Sequence, residues 1–392
     1  NMRDINLSID QDSERQAYIE FSSRINRNQR DLSFKLAANV DLSSYPQRYS
    51  AIVSSFDYHL AGVGLPTDGI AGQGSATVSY QLQPQLLDIS NLQITANQSQ
   101  LQGRVQGSVQ ADGESTYKVD LTSAALNLDN LLGWQPPSDS DAGSANTSQQ
   151  SGPRSPVTSN SQTISQPGEM AFLRDFNADV KIQANQIVYH GLTIADFSLQ
   201  AQNQQGTATL QDLSGKLGHG TFKTQGTISV VDNQPAQMTL TPQIENIAMG
   251  PVLHAFGQPE TFVGDLTLTG KFNGSGVTLA DVMQRWDGHA HISMANARLN
   301  GMNIQQLIQQ AVVRSHSEVT AADSYTDYTK IQELKADTVL RQGNLRITQF
   351  FGRSEILTAG GSGLINLDKQ RCDMSLNVRV LDGWKGKSNV VK

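Results

Sequence analysis

From Phe176 to Asn185 every even-numbered residue is apolar and every odd-numbered one is polar. The same alternation runs through Leu101 to Gln110, Asp31 to Leu42, Thr221 to Val230 and Asp265 to Phe272. Successive side chains point to opposite faces of a β-strand, so each segment makes a strand with one greasy and one wet face. Segments of this kind recur between Asn, Gly and Asp residues, at a spacing that implies about fifteen strands in an antiparallel meander. The expected class is mainly β: a long antiparallel curved sheet, or a repeated β-groove of sandwich-like modules, with a few short helices.

Helical spacing is rare. Asn130–Trp134 and Pro251–Phe256 read as single turns. Thr278 caps a short helix that runs to Trp286, and Asn303–Ala311 has apolar residues at i, i+3, i+4 and i+7. Two stretches resemble each other: Tyr117–Leu128 leading into Leu131–Trp134, and Met238–Ile247 leading into Val252–Phe256. Each reads as a strand, a strand edge and an apolar turn of helix, as in repeat proteins whose units stack in one dimension. Between the copies, Gln135–Gly168 is rich in Pro, Ser, Asn and Gln. It has too little apolar surface to offset its ordering entropy and is expected to be a disordered linker or insertion. The expected divisions are therefore 1–134, 135–168, 169–257 and 258–392.

Composition removes several function classes. The net charge is -7, so the chain lacks the basic surface that nucleic acid requires. Cys372 is the single cysteine, which rules out an internal disulfide or a thiolate metal cage. No apolar run approaches the ~20 residues of a membrane span, and no signal peptide is visible. Asn1–Leu7 reads as strand rather than as a natural start, so a preceding N-terminal segment is expected.

Catalytic chemistry finds no foothold. Asp287, His289 and His291 alternate on one strand, and His-x-His can chelate a metal. Without further ligands the pattern reads as a wet strand face opposite Ala290, Ile292 and Met294. His219, between two glycines, reads as a turn. Gly360-Gly361-Ser362-Gly363 lacks the lysine and helix of a phosphate loop, and with Leu364 next it lacks the nucleophile elbow. Carboxylates such as Glu333 and Asp337 read as solvated charge. Gly103, Gly107, Gly226 and Gly270 fall on apolar strand faces. There they either make room for a ligand or mark a local bulge. No cofactor is expected, and no enzyme activity.

The apolar faces remain to be covered, and there are too few helices to do it. A second sheet, a closed barrel or a non-protein occupant would serve. An outer-membrane barrel is disfavoured because aromatic residues are only 6% and form no girdles along the sequence. The candidate lining residues are Phe34, Leu36, Leu101, Val105, Val109, Phe176, Val180, Ile182, Phe222, Ile228, Val230, Leu266, Leu268 and Phe272. A Leu/Ile/Val surface with occasional Phe suits acyl chains.

Val277–Ile292, followed by Asn296–Ile308, sets out a helix, a Gly, a strand, a Leu-x-Gly turn and a short helix. Ile331–Leu340, Gly343-Asn344-Leu345 and Gly361–Asp368 continue the layout. This resembles the C-terminal region of the AsmA family, specifically over Leu266–Val380 and more diffusely over Asp31–Phe256. The resemblance implies a periplasmic protein of Gram-negative bacteria, held to the inner membrane by an N-terminal helix. It implies a role in outer-membrane protein assembly and lipopolysaccharide levels, and larger relatives are thought to carry phospholipid along β-grooves. The expected partners are phospholipid acyl chains, the inner membrane through a preceding anchor, and outer-membrane assembly components. The expected function is a lipid-handling scaffold, the alternative an assembly factor that carries no lipid.

Overall fold

A computed structural model of the chain describes residues 2–136, 164–301, 303–304, 306, 326–366, 369 and 371–381. Most of the expected linker 135–168 and of the helix expected from Asn303 to Ala311 lies outside the described residues. The described residues divide into two compact units, the second taking residues 217–223 and those from 238 onward.

The first unit opens with eight strands: β1 (Met2–Ser13), β2 (Gln16–Arg27), β3 (Arg30–Asp41), β4 (Arg48–Gly62), β5 (Ile70–Gln81), β6 (Gln85–Ala96), β7 (Ser99–Val109) and β8 (Ser115–Ser123). Each is antiparallel to the next. The meander then changes direction. A two-residue strand β9 (Leu126–Asn127) leads into helix α1 (Leu128–Leu132). Strand β10 (Phe176–Tyr189) returns parallel to β8, from Phe176 beside Ser115 to Ala184 beside Ser123. A parallel return needs a crossover of a dozen or more residues, which the sequence between Gly133 and Phe176 supplies. A 3-10 turn, Ala171–Asp175, precedes β10. Strand β11 (Leu192–Gln204) pairs antiparallel with β10, and β12 (Thr207–Leu217) and β13 (Gly220–Ser229) follow.

The second unit holds β14 (Gln237–Ala248), α2 (Met249–Ala255), β15 (Phe262–Ser275), α3 (Leu279–Arg285), β16 (Trp286–Asn300), β17 (Tyr328–Arg341), β18 (Asn344–Arg353), β19 (Leu357–Asn366) and β20 (Arg371–Val380). From β15 to β20 every neighbour is antiparallel.

The fold class is the expected one: mainly β and antiparallel, with short helices where α1, α2 and α3 were anticipated. The described strands number twenty, more than the expected fifteen or so. Part of the excess is in strands whose greasy positions are glycines, such as Gly72 and Gly74 in β5 and Gly361 and Gly363 in β19. Glycine there erases the hydrophobic alternation.

These sheets bury few large apolar side chains. Among the described residues those buried are Ile187, Ile247, Trp286, Met294, Leu340 and Leu357. The buried apolar set is dominated by alanines, including Ala37, Ala38, Ala184, Ala290 and Ala297. The one large side chain wholly removed from solvent is Asp281. It closes a capping box at the start of α3: Thr278 N donates to Asp281 Oδ2 at 3.0 Å, and Asp281 N donates to Thr278 Oγ1 at 3.1 Å. Arg285 one turn on lies 3.4 Å from Asp281 Oδ1. Beneath the helix, Trp286 Nε1 donates to Gly276 O at 3.2 Å. Asp281→Ala should therefore lower the stability of the second unit by about 1–2 kcal/mol, and Asp281→Asn by less. Thermal melts of the two variants check this; no loss in Asp281→Ala would refute the capping role, and equal losses would mean that the carboxylate charge, which Asn lacks, matters more than the acceptor oxygen that Asn keeps.

Candidate functional site: the apolar face of each sheet

Residues paired across a ladder point to the same face, so the register tells which side chains lie together. In the first unit Phe34 is opposite Tyr58 and Leu36 opposite Phe56. Phe56 is opposite Gly74, Gly74 opposite Ile94, and Ile94 opposite Leu101. One row further along, Val105 is opposite Val119 and Val119 beside Val180. Leu121 lies beside Ile182, which is opposite Leu199. Val109 and Phe176 share the parity of their strands. Phe34, Leu36, Leu101, Val105, Val109, Phe176, Val180 and Ile182 therefore occupy one continuous face. It reaches β1 as well, where Leu7 is opposite Phe21 and Ile9 opposite Ile19.

The second unit repeats the arrangement. Leu266 is opposite Met294, Leu268 opposite Ile292 and Phe272 opposite Gly288. The face continues through Leu334, Ala336 and Leu340 to Phe350, Ile347 and Leu345. In β13, Phe222 and Ile228 fall on the less exposed side of an alternating strand. Val230 lies one residue beyond β13, and its N–H donates to Gly206 O at 2.8 Å.

Most of the lining residues are half-buried, while Met294 and Leu340 are buried and Leu7 and Ile9 exposed. They touch their lateral neighbours and present the rest of their surface outward. Rings Phe21, Phe34 and Phe56 follow one another at 5.6 and 5.8 Å, and Tyr58 stacks on Phe56 at 5.6 Å. Such cross-strand contacts contribute roughly 0.2–1 kcal/mol each.

The glycines of this face do not leave open pockets. A Cβ at Gly107 would lie 3.3 Å from the Tyr117 ring, and one at Gly270 2.8 Å from Phe272. At Gly288 it would meet Phe272 again, at 2.4 Å. Rings roof these glycines, from the neighbouring strand at Gly107 and Gly288 and from the same strand at Gly270. Gly103 is a different case. Its φ of +145° sits beside a register shift between Ile89 and Leu92, and a Cβ would lie 2.0 Å from Asp120 O. A Cβ at Gly72 would come just as close to the Thr95 backbone, 1.8 Å from its O.

Charge lies on the opposite face. Arg104 donates twice to Asp88, both at 2.8 Å, and this pairing holds the Asp88 carboxyl below its usual range. Lys118, Asp120, Asp179 and Lys181 share the parity of that face. In the second unit Asp287, His289 and His291 have separate engagements. Asp287 accepts from Gln342 N at 3.1 Å, while His291 Nδ1 pairs with Asp337. His289 is opposite Lys271 and Val339. His219 sits in a turn, 3.3 Å from Asp265. Glu333 pairs with Lys335 at 2.5 Å, so it and Asp337 are not a coupled carboxylate pair. A hollow of about 580 Å³ on this face is lined by Thr269, His291, Lys335, Asp337, Gln349 and Phe351, with its charged members already paired. Among the described residues no three metal-ligating side chains converge, and no helix is long and apolar enough to cross a membrane.

Sequence reasoning missed part of the face. Tyr49, Tyr80, Leu87 and Tyr117 belong to it through the pairs Tyr49–Tyr80, Tyr80–Leu87, Leu87–Gly107 and Gly107–Tyr117. A register shift between Val53 and Phe56 hid Tyr49, because it puts Ile52 on the other side. The close approaches give a test. Gly72→Ala forces a methyl into the Thr95 backbone, whereas Gly107→Ala meets only a ring edge that can give way. The first should cost about 2–3 kcal/mol more than the second in denaturant melts; equal costs would refute this reading of the two glycines.

A model described as the AsmA family matches residues 65–350. Protein AsmA of Escherichia coli (strain K12) is 33% identical over 392 residues, covering 100% of this chain and 62% of that protein. The chain thus spans less than two thirds of that relative's length. No solved structure matches.

Proposed function

The chain belongs to the AsmA family, and from that membership we propose that its apolar sheet faces shelter lipid acyl chains, in a non-enzymatic scaffold of the bacterial envelope. Membership supports an envelope-related function in itself. The observation that carries the finer reading is the half-burial of a continuous apolar face. An ordinary sandwich would bury Val180, Ile182 or Leu268 completely. Here they remain partly exposed in rows that run from strand to strand. Leaving such rows in water is unfavourable by ~25 cal/mol per Å², and a hydrocarbon occupant removes that cost. The occupant gains too. A 16-carbon chain is sheltered from a penalty on the order of 12 kcal/mol, at ~0.8 kcal/mol per methylene. No catalytic group is needed for this.

Such a scaffold would work in the periplasm, held to the inner membrane by a preceding segment, as the family resemblance implies. A role in outer-membrane protein assembly or lipopolysaccharide levels would then follow from the lipids it handles.

The test is a carboxylate on the apolar face. In Val180→Glu and Leu268→Glu the new charge sits where water can reach once the hydrocarbon has left. Each should cost less than about 2 kcal/mol, whereas an unpaired charge in a sealed core costs several. Binding of a fluorescent phospholipid should fall sharply in both and stay unchanged in Lys181→Glu on the opposite face. Melting curves and a binding titration on all three check this. Unfolding of both apolar-face variants, with no lipid bound by the parent chain, would overturn the proposal.

A further inference from the structure

On the apolar face of the first unit two arginines stand directly opposite one another. Strands β2 and β3 pair so that Phe21 is opposite Leu36, Ser23 opposite Phe34, Ile25 opposite Leu32 and Arg27 opposite Arg30. Residues two apart on a strand share a face, so Arg27 and Arg30 lie on the face that carries Phe21, Phe34 and Leu36. They are its last pair before the turn at Asn28 and Gln29, whose φ values of +53° and +61° suit a two-residue hairpin. The row just inside them is apolar over five strands: Met2, Ile25, Leu32, Leu60 and Ile70 are successive ladder partners. Same-face positions follow one another at about 7 Å along a strand, so the arginines begin one such step beyond that row.

Like charges directly opposite across a ladder repel. The nearest carboxylate in sequence, Asp31, is turned to the other face, where Asn26 Nδ2 donates to it at 2.7 Å and Arg3 lies 3.8 Å away. Both arginines are exposed, and among the described residues neither has an ion-pair partner. Arg30 is nevertheless held in place. Its Nε donates to Val63 O at 3.0 Å, and its ladder partner on β4 is Gly62. A Cβ at Gly62 would lie 3.2 Å from Arg30 Cγ, so the glycine leaves the arginine stem its space. The Nε bond orients the planar guanidinium while its terminal Nη donors remain for a ligand.

A phosphate suits this arrangement. One oxyanion between the two guanidiniums offsets their repulsion and accepts charge-assisted hydrogen bonds from both. Apolar surface starts one row inward, where chains attached to that phosphate would lie. We propose that Arg27 and Arg30 bind the phosphate of a phospholipid whose acyl chains rest on the apolar face from Ile25, Leu32 and Leu60 inward. The assignment rests on the acyl-chain reading above. It adds a polar anchor at a stated place and a class of lipid, one with a phosphate on its glycerol.

Two lipids with the same fluorescent acyl chain separate the two ideas, a phosphatidylglycerol and a diacylglycerol that lacks the phosphate. Each is titrated with the full chain. The parent should bind the phosphatidylglycerol about tenfold more tightly than the diacylglycerol. Arg27→Gln with Arg30→Gln should bind both at the diacylglycerol level, while Arg24→Gln, on the opposite face, keeps the parent's preference. Arg27→Gln alone leaves Arg30 on Val63 and should lose part of the preference; it carries the test if the double variant melts early. A folded double variant that keeps the preference, or a parent that shows none, would overturn the phosphate site and leave the acyl-chain reading standing. Inorganic phosphate distinguishes the other source of the same chemistry. If it raises the melting temperature of the parent and not of the double variant, and the parent prefers neither lipid, the arginines bind free phosphate and the lipid anchor is overturned. Binding of neither lipid would overturn both readings.

Discussion

The backbone ladder carries this protein. With few large apolar side chains buried among the described residues, cohesion comes largely from strand pairing and from side chains that touch laterally along one face. Every strand from β2 to β7 has a paired neighbour on each side, so most main-chain donors and acceptors are satisfied within the sheet. That freedom permits a greasy face to remain uncovered by protein. It also explains the sequence's heavy use of Gln, Asn, Ser and Thr on the other face, where solubility is needed and packing is not.

Small residues and large rings divide the work on the apolar face. Glycine lets strands approach, as Gly72 does at Thr95, or lets a neighbouring ring lie flat, as Gly107 does beneath Tyr117. The rings then join adjacent strands laterally. Closure is local and comes from short helices at strand ends. α1 fastens turns through Asp129 and Asn130, and the buried Asp281 caps α3 through Thr278. The alternation of wet and greasy residues thus sets both the architecture and the surface on which the proposed function depends.

Much of this was legible in the sequence. Period-two segments such as Phe176–Asn185 identified strands, and eight apolar residues read from them share one face of the first unit by register. Thr278 announced α3. Glycine at greasy positions weakens the pattern, as Gly72 and Gly74 do in the first half of β5 and Gly361 and Gly363 in β19. The parallel return of β10 onto β8 was not legible either, since pairing direction is a property of chain path and not of local pattern. The tyrosine row needed the register as well: its members come from β4, β5 and β8, and only the ladder aligns them.

The central claim is that a face left half-open by the protein is filled by hydrocarbon. Its most direct test is mass spectrometry of the chain purified without detergent, under conditions that keep noncovalent ligands bound, followed by melting before and after the ligand is stripped. The account expects glycerophospholipid to co-purify in near-stoichiometric amount and the stripped protein to melt at a lower temperature, as for any ligand that binds the folded state alone. A chain that purifies free of lipid, and whose melting temperature does not move when phospholipid is added, would contradict it.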